Sequence, residues 1–464
     1  MNLLESYKNR LQISESVHQK SHNGAKMNAT KKLMIASVLN NTSKFMNEAF
    51  NSSAATQRAS LGDFKKFCLN VATVALPNLI LPELMLTQPM TSISGYVTYL
   101  RYTAGTDKGG VKANETMFGS VYRHGEMNED RVNYTAERVV ETLEADATTF
   151  TPAWAPATKV ELVAPDGTRT DVTPEDYDGK SAITFDAVEA GTKVAYVYDN
   201  VIVPQQNTPT SLPTLTAAMD AIDLHAHARR IAVYYSQIAA FQAKTDYGYD
   251  LADQLSTQAQ GELAYEIDTE GVMMLYNGAE VDDTLKFESY DIATDAAKAY
   301  ISRSQYYEQF SEIVARAKKI IYQRTQKFAP NYMVVGANVL TIMPYVKGWT
   351  AAPASAVNGP YFAGTIDGLK VYCSPSIDEN RFFFGVNGSD LQTSAAVYAP
   401  YMAIVPTQLL GFADGAMSQG FSTMYDMKLL STYTGEWAKG TAKDSKEGTH
   451  SYLLVGGEFV TTND

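Results

Sequence analysis

The chain has 464 residues, 45% of them hydrophobic and 19% charged, a balance that gives material for two or three cores and excludes long-range disorder. Its two cysteines, Cys68 and Cys373, exclude a disulfide framework and fit a reducing cytosol. The polar start at Met1 to Arg10 carries no apolar signal core. The apolar stretch from Val71 to Leu86 is broken by Pro77 and Pro82 and is too short for a membrane span, so the expectation is a soluble chain made in a cytoplasm.

The net charge of −13 is unevenly spread. Residues 1–70 hold ten basic and four acidic side chains, whereas the rest hold 28 basic against 47 acidic, a deficit of 19. Residues 1–60 read as an extended or loosely helical arm rich in Asn, Ser, Lys and Ala. Its basic residues Lys8, Arg10, Lys20, Lys26, Lys31 and Lys32 would lie against a polyanion, against the acidic face of a neighbour, or in solvent. From Leu61 the chain turns apolar, and Tyr96 to Tyr102 alternates like a strand.

Residues 103–135 form a polar excursion punctuated by Gly105, Gly109, Gly110, Gly119 and Gly125. It is too poor in apolar side chains to build a core, and reads as a mobile loop or as a ribbon ordered by another chain. From Lys159 the texture is that of a small β domain. Turn signals at Pro165-Asp166-Gly167 and Glu189-Ala190-Gly191-Thr192 separate strands at Lys159 to Val163, Ala182 to Phe185 and Lys193 to Val203. This immunoglobulin-like segment sits between two others and reads as an insertion.

Pro204 to Pro213 is a linker, and Ala221 to Ser236 is a strand or two. Leu251, Leu255, Ala259, Leu263, Ile267, Gly271 and Met274 then share one face, which predicts a helix over 246–276, about 45 Å long. Gly261 and Gly271 weaken it by about 1 kcal/mol each relative to Ala, which points to a closely passing backbone. A second helix is predicted over 305–324, with Tyr332 to Val335 as a buried strand after it. The fold class is α+β.

Chemistry leaves little mark. The chain has no phosphate loop, no Gly-x-Ser-x-Gly elbow and no His-Glu-x-x-His pair. His225 and His227 could share a strand face and hold a metal only with Asp220 or Asp223 as further ligands; the plainer reading is a polar strand face beside Arg229 and Arg230. Asp250, Asp253 and Glu262 read as a solvated helix surface rather than paired catalytic carboxylates. No catalytic residue, cofactor or metal is assigned.

Several strings resemble one family. Gln88-Pro89-Met90-Thr91-Ser92-Ile93-Ser94-Gly95 is similar to the segment that enters the extended loop of T-even-like phage major capsid proteins, with Ile93 at or beside that family's proline. Met219 to Ser236 followed by Asp246 to Asn277 resembles its strand and spine helix. Ala363-Gly364 to Tyr372, Ala396 to Tyr401 and Gln419-Gly420-Phe421 to Tyr425 resemble three further motifs in the same order.

The resemblance spans about residues 85–430 and implies the Hong Kong 97-type capsid fold. Its parts would be an N-terminal arm at 1–60, the start of a peripheral domain at 61–102, an extended loop at 103–145 and the inserted β domain at 146–204. The peripheral domain with the spine helix would follow at 205–300, an axial domain at 301–424 and a return at 425–464. It implies a virion subunit assembling mainly as hexamers around double-stranded DNA, beside vertex, portal and decoration proteins, with the basic arm facing the DNA. Inter-subunit contacts would involve Lys108, Gly109, Gly110, Lys112, Phe118, Tyr122 and Arg123 of the extended loop. By analogy with shells that weld a loop lysine to a neighbour's asparagine, Lys108 and Lys112 are the lysines to consider. Hydrophobic-x-Glu strings at Leu3-Leu4-Glu5 and Ile13-Ser14-Glu15 loosely fit the cleavage sites of prohead proteases. The alternatives are an encapsulin-like compartment and a carbohydrate-binding surface protein using the β insert, with Trp154 as the contact.

Overall fold

A computed structural model describes residues 3–21, 26–51, 69, 73, 76, 79–114, 133–198, 213–248, 250–291, 300–325, 327–353, 359–407, 410–412, 415–435, 443–444 and 448–461. The chain divides into two units. One comprises residues 1–97 and 221–464, the other residues 98–220. Helices and strands both contribute throughout, as the α+β expectation requires.

The first unit opens with three helices, Leu3–Ser6, Lys8–Ser21 and Ala29–Asn51. The arm is therefore helical, and it packs on its own chain rather than waiting for a neighbour. The reason is a narrow stripe, Met34, Ile35, Val38, Leu39 and Met46, all buried at a spacing of three to four residues. Met46 packs with Met402 and Val405. Side-chain hydrogen bonds fix the register: Asn41 donates to the carbonyls of Met90 and Tyr401, Ser14 donates to Thr73, and the Thr42 hydroxyl accepts from the Ala403 N–H.

Two sheets carry the unit. In the first, the strands run in the order Leu86–Thr87, Ala396–Pro406, Ala416–Leu429 and His227–Ser236, with Leu410–Gly411 paired to the third. In the second, seven strands run in the order Val281–Glu288, Leu454–Val460, Arg381–Gly385, Tyr332–Val335, Leu369–Cys373, Tyr361–Ile366 and Trp349–Ala351. All four residues of Tyr332–Val335 are buried, as a central strand requires.

The long helix spans Leu251–Gly278, about 42 Å at 1.5 Å per residue. It starts later than its periodicity predicts because Gly248, with φ of 75°, ends a preceding π-helical turn at Ala243–Tyr247. Ala259, Leu263, Ile267 and Gly271 lie on its buried face as expected, and Ala259 and Leu263 pack on Ile404 and Phe421 of the first sheet. The second predicted helix is two, Arg303–Glu308 and Phe310–Thr325, the first held by a capping box between Ser302 and Gln305.

The second unit contains the insert, and its sheet begins earlier in the chain than the domain boundary at 146. The strand Arg138–Thr142 pairs with Lys193–Tyr198, followed by Ala157–Val163 and Arg169–Asp171, while Thr149–Phe150 pairs separately with Ile183–Thr184. Val139, Phe150, Trp154, Val160, Ile183, Val194, Tyr196 and Tyr198 form its core. Four strands and two make a smaller body than a seven-stranded immunoglobulin sandwich.

The two interior glycines of the long helix should respond oppositely to alanine. At Gly271 a Cβ would collide with the buried Leu81 side chain, whereas at Gly261 nothing lies within 4 Å. Gly271→Ala should cost about 1–3 kcal/mol and Gly261→Ala should gain up to ~1 kcal/mol, read as shifts of the urea midpoint. A second expectation concerns Asp268, whose carboxyl is pushed up to about 7 by burial, against an ordinary value of 3.8, despite hydrogen bonds from the Ile80 and Leu81 N–H groups and the nearby Lys31. The folded state thus holds this proton more tightly than the unfolded chain. Its contribution is complete below pH ~4 and fades as pH rises through 7. Urea midpoints measured from pH 4 to 7.5 should therefore fall in the wild type relative to Asp268→Asn, and parallel curves would contradict the assignment.

Candidate interaction surfaces

A two-stranded ribbon, which leads into the excursion, carries exposed apolar side chains. The strands Ser94–Ala104 and Leu215–His225 pair as a two-stranded ribbon. Thr103 Oγ1 lies 2.9 Å from Thr216 Oγ1, and the Gly105 N–H donates to the Thr214 carbonyl at 2.7 Å. Alternation places Val97 and Thr103 on the inward side, 6% and 2% exposed. Tyr96, Leu100 and Tyr102 point the other way, and Leu215 and Met219 of the partner strand are also largely exposed. Two strands cannot bury such a face by themselves.

At the ribbon's end the excursion is anchored by Lys108, which faces inward and not toward a neighbour. Its Nζ donates to the carbonyls of Asn133, Tyr134 and Ala136 and lies 5.4 Å and 5.0 Å from the ring centres of Trp154 and Tyr198. Three carbonyl dipoles and two ring faces replace its water, and burial still pushes the amine down to about 8. Gly109, with φ of 59°, supports the tight turn in which Lys108 and Val111 exchange backbone hydrogen bonds. Lys108, expected among the inter-subunit residues, is thus a buried ammonium that holds three carbonyls of its own chain. Gly110 and Lys112 stay exposed, while Phe118, Tyr122 and Arg123 lie outside the described residues.

The basic residues of the arm differ in their surroundings. Lys31 is 5% exposed and donates to the Leu79 carbonyl at 3.2 Å. Lys32 is paired with Glu15 at 2.9 Å. Lys8 and Lys26 are exposed, Arg10 is half-buried, and the side chain of Lys20 lies outside the described residues. Lys31 and Lys32 thus help to seat the arm on its own chain.

His225 and His227 have their rings 5.2 Å apart edge to face, and the Nδ1 of His225 lies 3.1 Å from Ser94 Oγ. Among the described residues no group of three or more potential ligands gathers around a metal position. Asp250, Asp253 and Glu262 are all exposed. Trp154 is 8% exposed and belongs to the insert's core, so it cannot be the sugar contact of a carbohydrate-binding surface. Sequence reasoning passes over the burial of Asp268 and Arg324, 6% and 1% exposed, whereas Tyr332 is buried as the predicted strand required. For Asp268 a signal exists: a carboxylate flanked by Ile267 and Gly271 on the apolar side of a helix needs internal donors.

The Lys108 anchor makes a spectroscopic prediction. In a chain with Trp154 as the sole tryptophan, its emission should titrate with a midpoint near pH 8 as the ammonium over the ring is lost. In Lys108→Met the titration should vanish, and the amide of Val111 should exchange at least tenfold faster, the loss of an anchor costing about 1–3 kcal/mol.

The comparisons with known proteins agree with this picture. The family model described as "Major capsid protein Gp23" matches residues 61–455. The major capsid protein of Escherichia phage AR1 is 24% identical over 411 residues, covering 82% of this chain and 77% of that protein. Among solved structures, the capsid of Myoviridae phage XM1 aligns at 7% identity and a TM-score of 0.39, over 82% of this chain and 91% of that chain. The SrpI encapsulin of Synechococcus elongatus PCC 7942 aligns at 10% identity and a TM-score of 0.32, over 53% of this chain and 77% of that chain. Those structural likenesses are too loose to carry weight; the family match over most of the chain carries it. No helix among the described residues is long and apolar enough to cross a membrane. The chain is a structural component of a virion shell and belongs to the Major capsid protein Gp23 family.

Proposed function

We propose that copies of this chain tile the shell mainly as hexamers around double-stranded DNA, in the Hong Kong 97-type arrangement, each copy laying its ribbon across a neighbour. The observation that carries this reading is the ribbon's exposed face of Tyr96, Leu100, Tyr102, Leu215 and Met219. Large apolar side chains held open on a two-stranded element are costly unless covered, and the covering surface that every shell supplies is another copy. Closed, repeated contacts of about 800 Å² per partner then sum over the lattice.

The order of elements supports the same reading: arm, ribbon, long helix, sheet domain and a return strand that rejoins the seven-stranded sheet at Leu454–Val460. The arm at 1–60, the excursion at 103–145, the long helix within 205–300, the axial part at 301–424 and the return at 425–464 take the roles that order implies. The surplus of acidic residues beyond residue 70 keeps DNA contact non-specific, through basic residues of the arm such as Lys8 and Lys26. Vertex, portal and decoration proteins complete the particle. The role on this reading is structural, as membership in a capsid family supports. Membership in a viral capsid family favours a phage head over an encapsulin compartment.

Sedimentation and negative-stain microscopy of the purified chain test this reading. The wild type should form sheets, tubes or shells as concentration rises. A Tyr96→Ser, Leu100→Ser, Met219→Ser variant should keep its unfolding temperature within ~2 °C, because these side chains are exposed, yet remain unassembled. Assembly by the variant as readily as by the wild type, or a wild type that stays monomeric at high concentration, would refute the ribbon's role.

A further inference from the structure

Within the first unit, the arm helices and the seven-stranded sheet enclose a cleft of about 620 Å³. Its walls carry three lysines, Lys26, Lys31 and Lys370, against a single carboxylate, Glu83. That carboxylate is already engaged, accepting from Lys370 Nζ at 3.1 Å and from the Tyr372 hydroxyl at 2.5 Å. Lys31 donates to the Leu79 carbonyl, lies 3.4 Å from a ring nitrogen of His18 and has the Asp268 carboxyl nearby. Against Glu83 and Asp268, the three lysines still leave the described walls with one positive charge more than those two carboxyls can answer.

Tyr332 supplies a second, independent observation. Parallel pairing sets it beside Lys370 on one face of the sheet, and it too lines the cleft. It is 1% exposed, and its hydroxyl has no hydrogen-bond partner among the described residues. Native structures rarely leave such a group unsatisfied. Burial holds the phenol far above its ordinary range, so it stands as a donor in need of an acceptor.

We propose that the cleft is an oxyanion-binding site, in which a carboxylate or phosphate oxygen accepts the Tyr332 hydroxyl proton and is held among the ammonium groups of Lys26, Lys31 and Lys370. A cation would be repelled by the three lysines, and an apolar guest would leave the hydroxyl unpaired. The oxyanion has two sources, free phosphate or an acidic side chain of an adjoining copy. The deficit of 19 charges over residues 71–464 makes the second plentiful in a shell. Because the cleft is walled by the arm on one side and the sheet on the other, the bound anion fastens the arm to the body. Nothing in this assignment depends on shell formation, so it can fail or stand separately.

Thermal unfolding of the dispersed full-length chain, titrated with inorganic phosphate against chloride at matched ionic strength, tests it. Phosphate should raise the unfolding temperature saturably, by roughly 3 °C. Tyr332→Phe should abolish that rise while unfolding in chloride at the wild-type temperature or above it, since only an unpartnered hydroxyl is removed. Lys31→Met should reduce the rise at least twofold. An equal phosphate response in wild type and Tyr332→Phe overturns the proposal, as does a high-resolution density map with only water on the hydroxyl. If phosphate also slows assembly at constant ionic strength, a neighbour's carboxylate is the natural occupant; if assembly is untouched while the thermal response persists, the free anion is.

Discussion

One buried carboxylate sets the relation between the start of the chain and its longest helix. Asp268 is 6% exposed, and it accepts hydrogen bonds of 3.1–3.2 Å from the N–H groups of Ile80 and Leu81. Those N–H groups open the short helix Leu81–Leu84 and have no acceptor within it. Asp268 therefore plays the part of a cap from a distance of 187 residues. Leu81 is seated directly over Gly271, one helical turn further on, where an added Cβ would press on the Leu81 methyl groups. Lys31 then ties the arm to the same place through the Leu79 carbonyl. Arm, entry segment and long helix are thus registered against one another by polar contacts in an apolar setting, where misplacement leaves a charge or an N–H unpaired and is expensive.

A second polar knot holds the other end of the helix. Arg324, 1% exposed, donates to the Leu454 carbonyl at 3.1 Å and to Glu280 at 2.9 Å, and Glu280 also accepts from the Tyr433 hydroxyl. Four separate segments meet there: the helix Phe310–Thr325, the turn after Gly278, the strand Thr432–Thr434 and the strand Leu454–Val460. A shell subunit must keep its shape while neighbours pull on its edges, and buried networks of this kind resist local opening because no member can leave singly. The outer side of the long helix is held more loosely. Arg229 bridges Glu266 and Glu270 there at half-exposed positions, where the gain is small.

The ribbon and excursion follow a different economy. Their inward side is held by Thr103 against Thr216, by the Gly105 N–H and the Tyr134 hydroxyl on the Thr214 carbonyl, and by Lys108, while Val97 and Leu224 join a core with Val397 and Ala399. Tyr96, Leu100, Tyr102, Leu215 and Met219 stay exposed, and on the proposed reading this is the side a neighbouring copy covers. The insert differs again, since it has its own aromatic core. The described part of the arm differs too, packing on its own chain through Met34, Ile35, Val38 and Leu39.

The sequence alone determined what depends on near neighbours. The stripe at Ala259, Leu263, Ile267 and Gly271 announces a helix, and the turns at Gly167 and Gly191 announce the insert, because periodicity and turn chemistry are properties of a few consecutive residues. The closely passing backbone expected from Gly261 and Gly271 is not there: the Leu81 side chain lies against Gly271, and nothing lies within 4 Å of a Cβ at Gly261. The motif order from Gln88 to Tyr425 likewise pointed to the family. The fate of individual charges was decided only by tertiary structure. Lys31 and Lys108 are indistinguishable in sequence from Lys26 and Lys112, yet the first two are buried on internal carbonyls and the others face solvent. Trp154 became a core residue for the same reason, and Met34 to Met46 became a docking stripe. Burial is fixed by segments tens or hundreds of residues away, such as Leu79 for Lys31 and Tyr401 for the arm, and no local pattern carries that information.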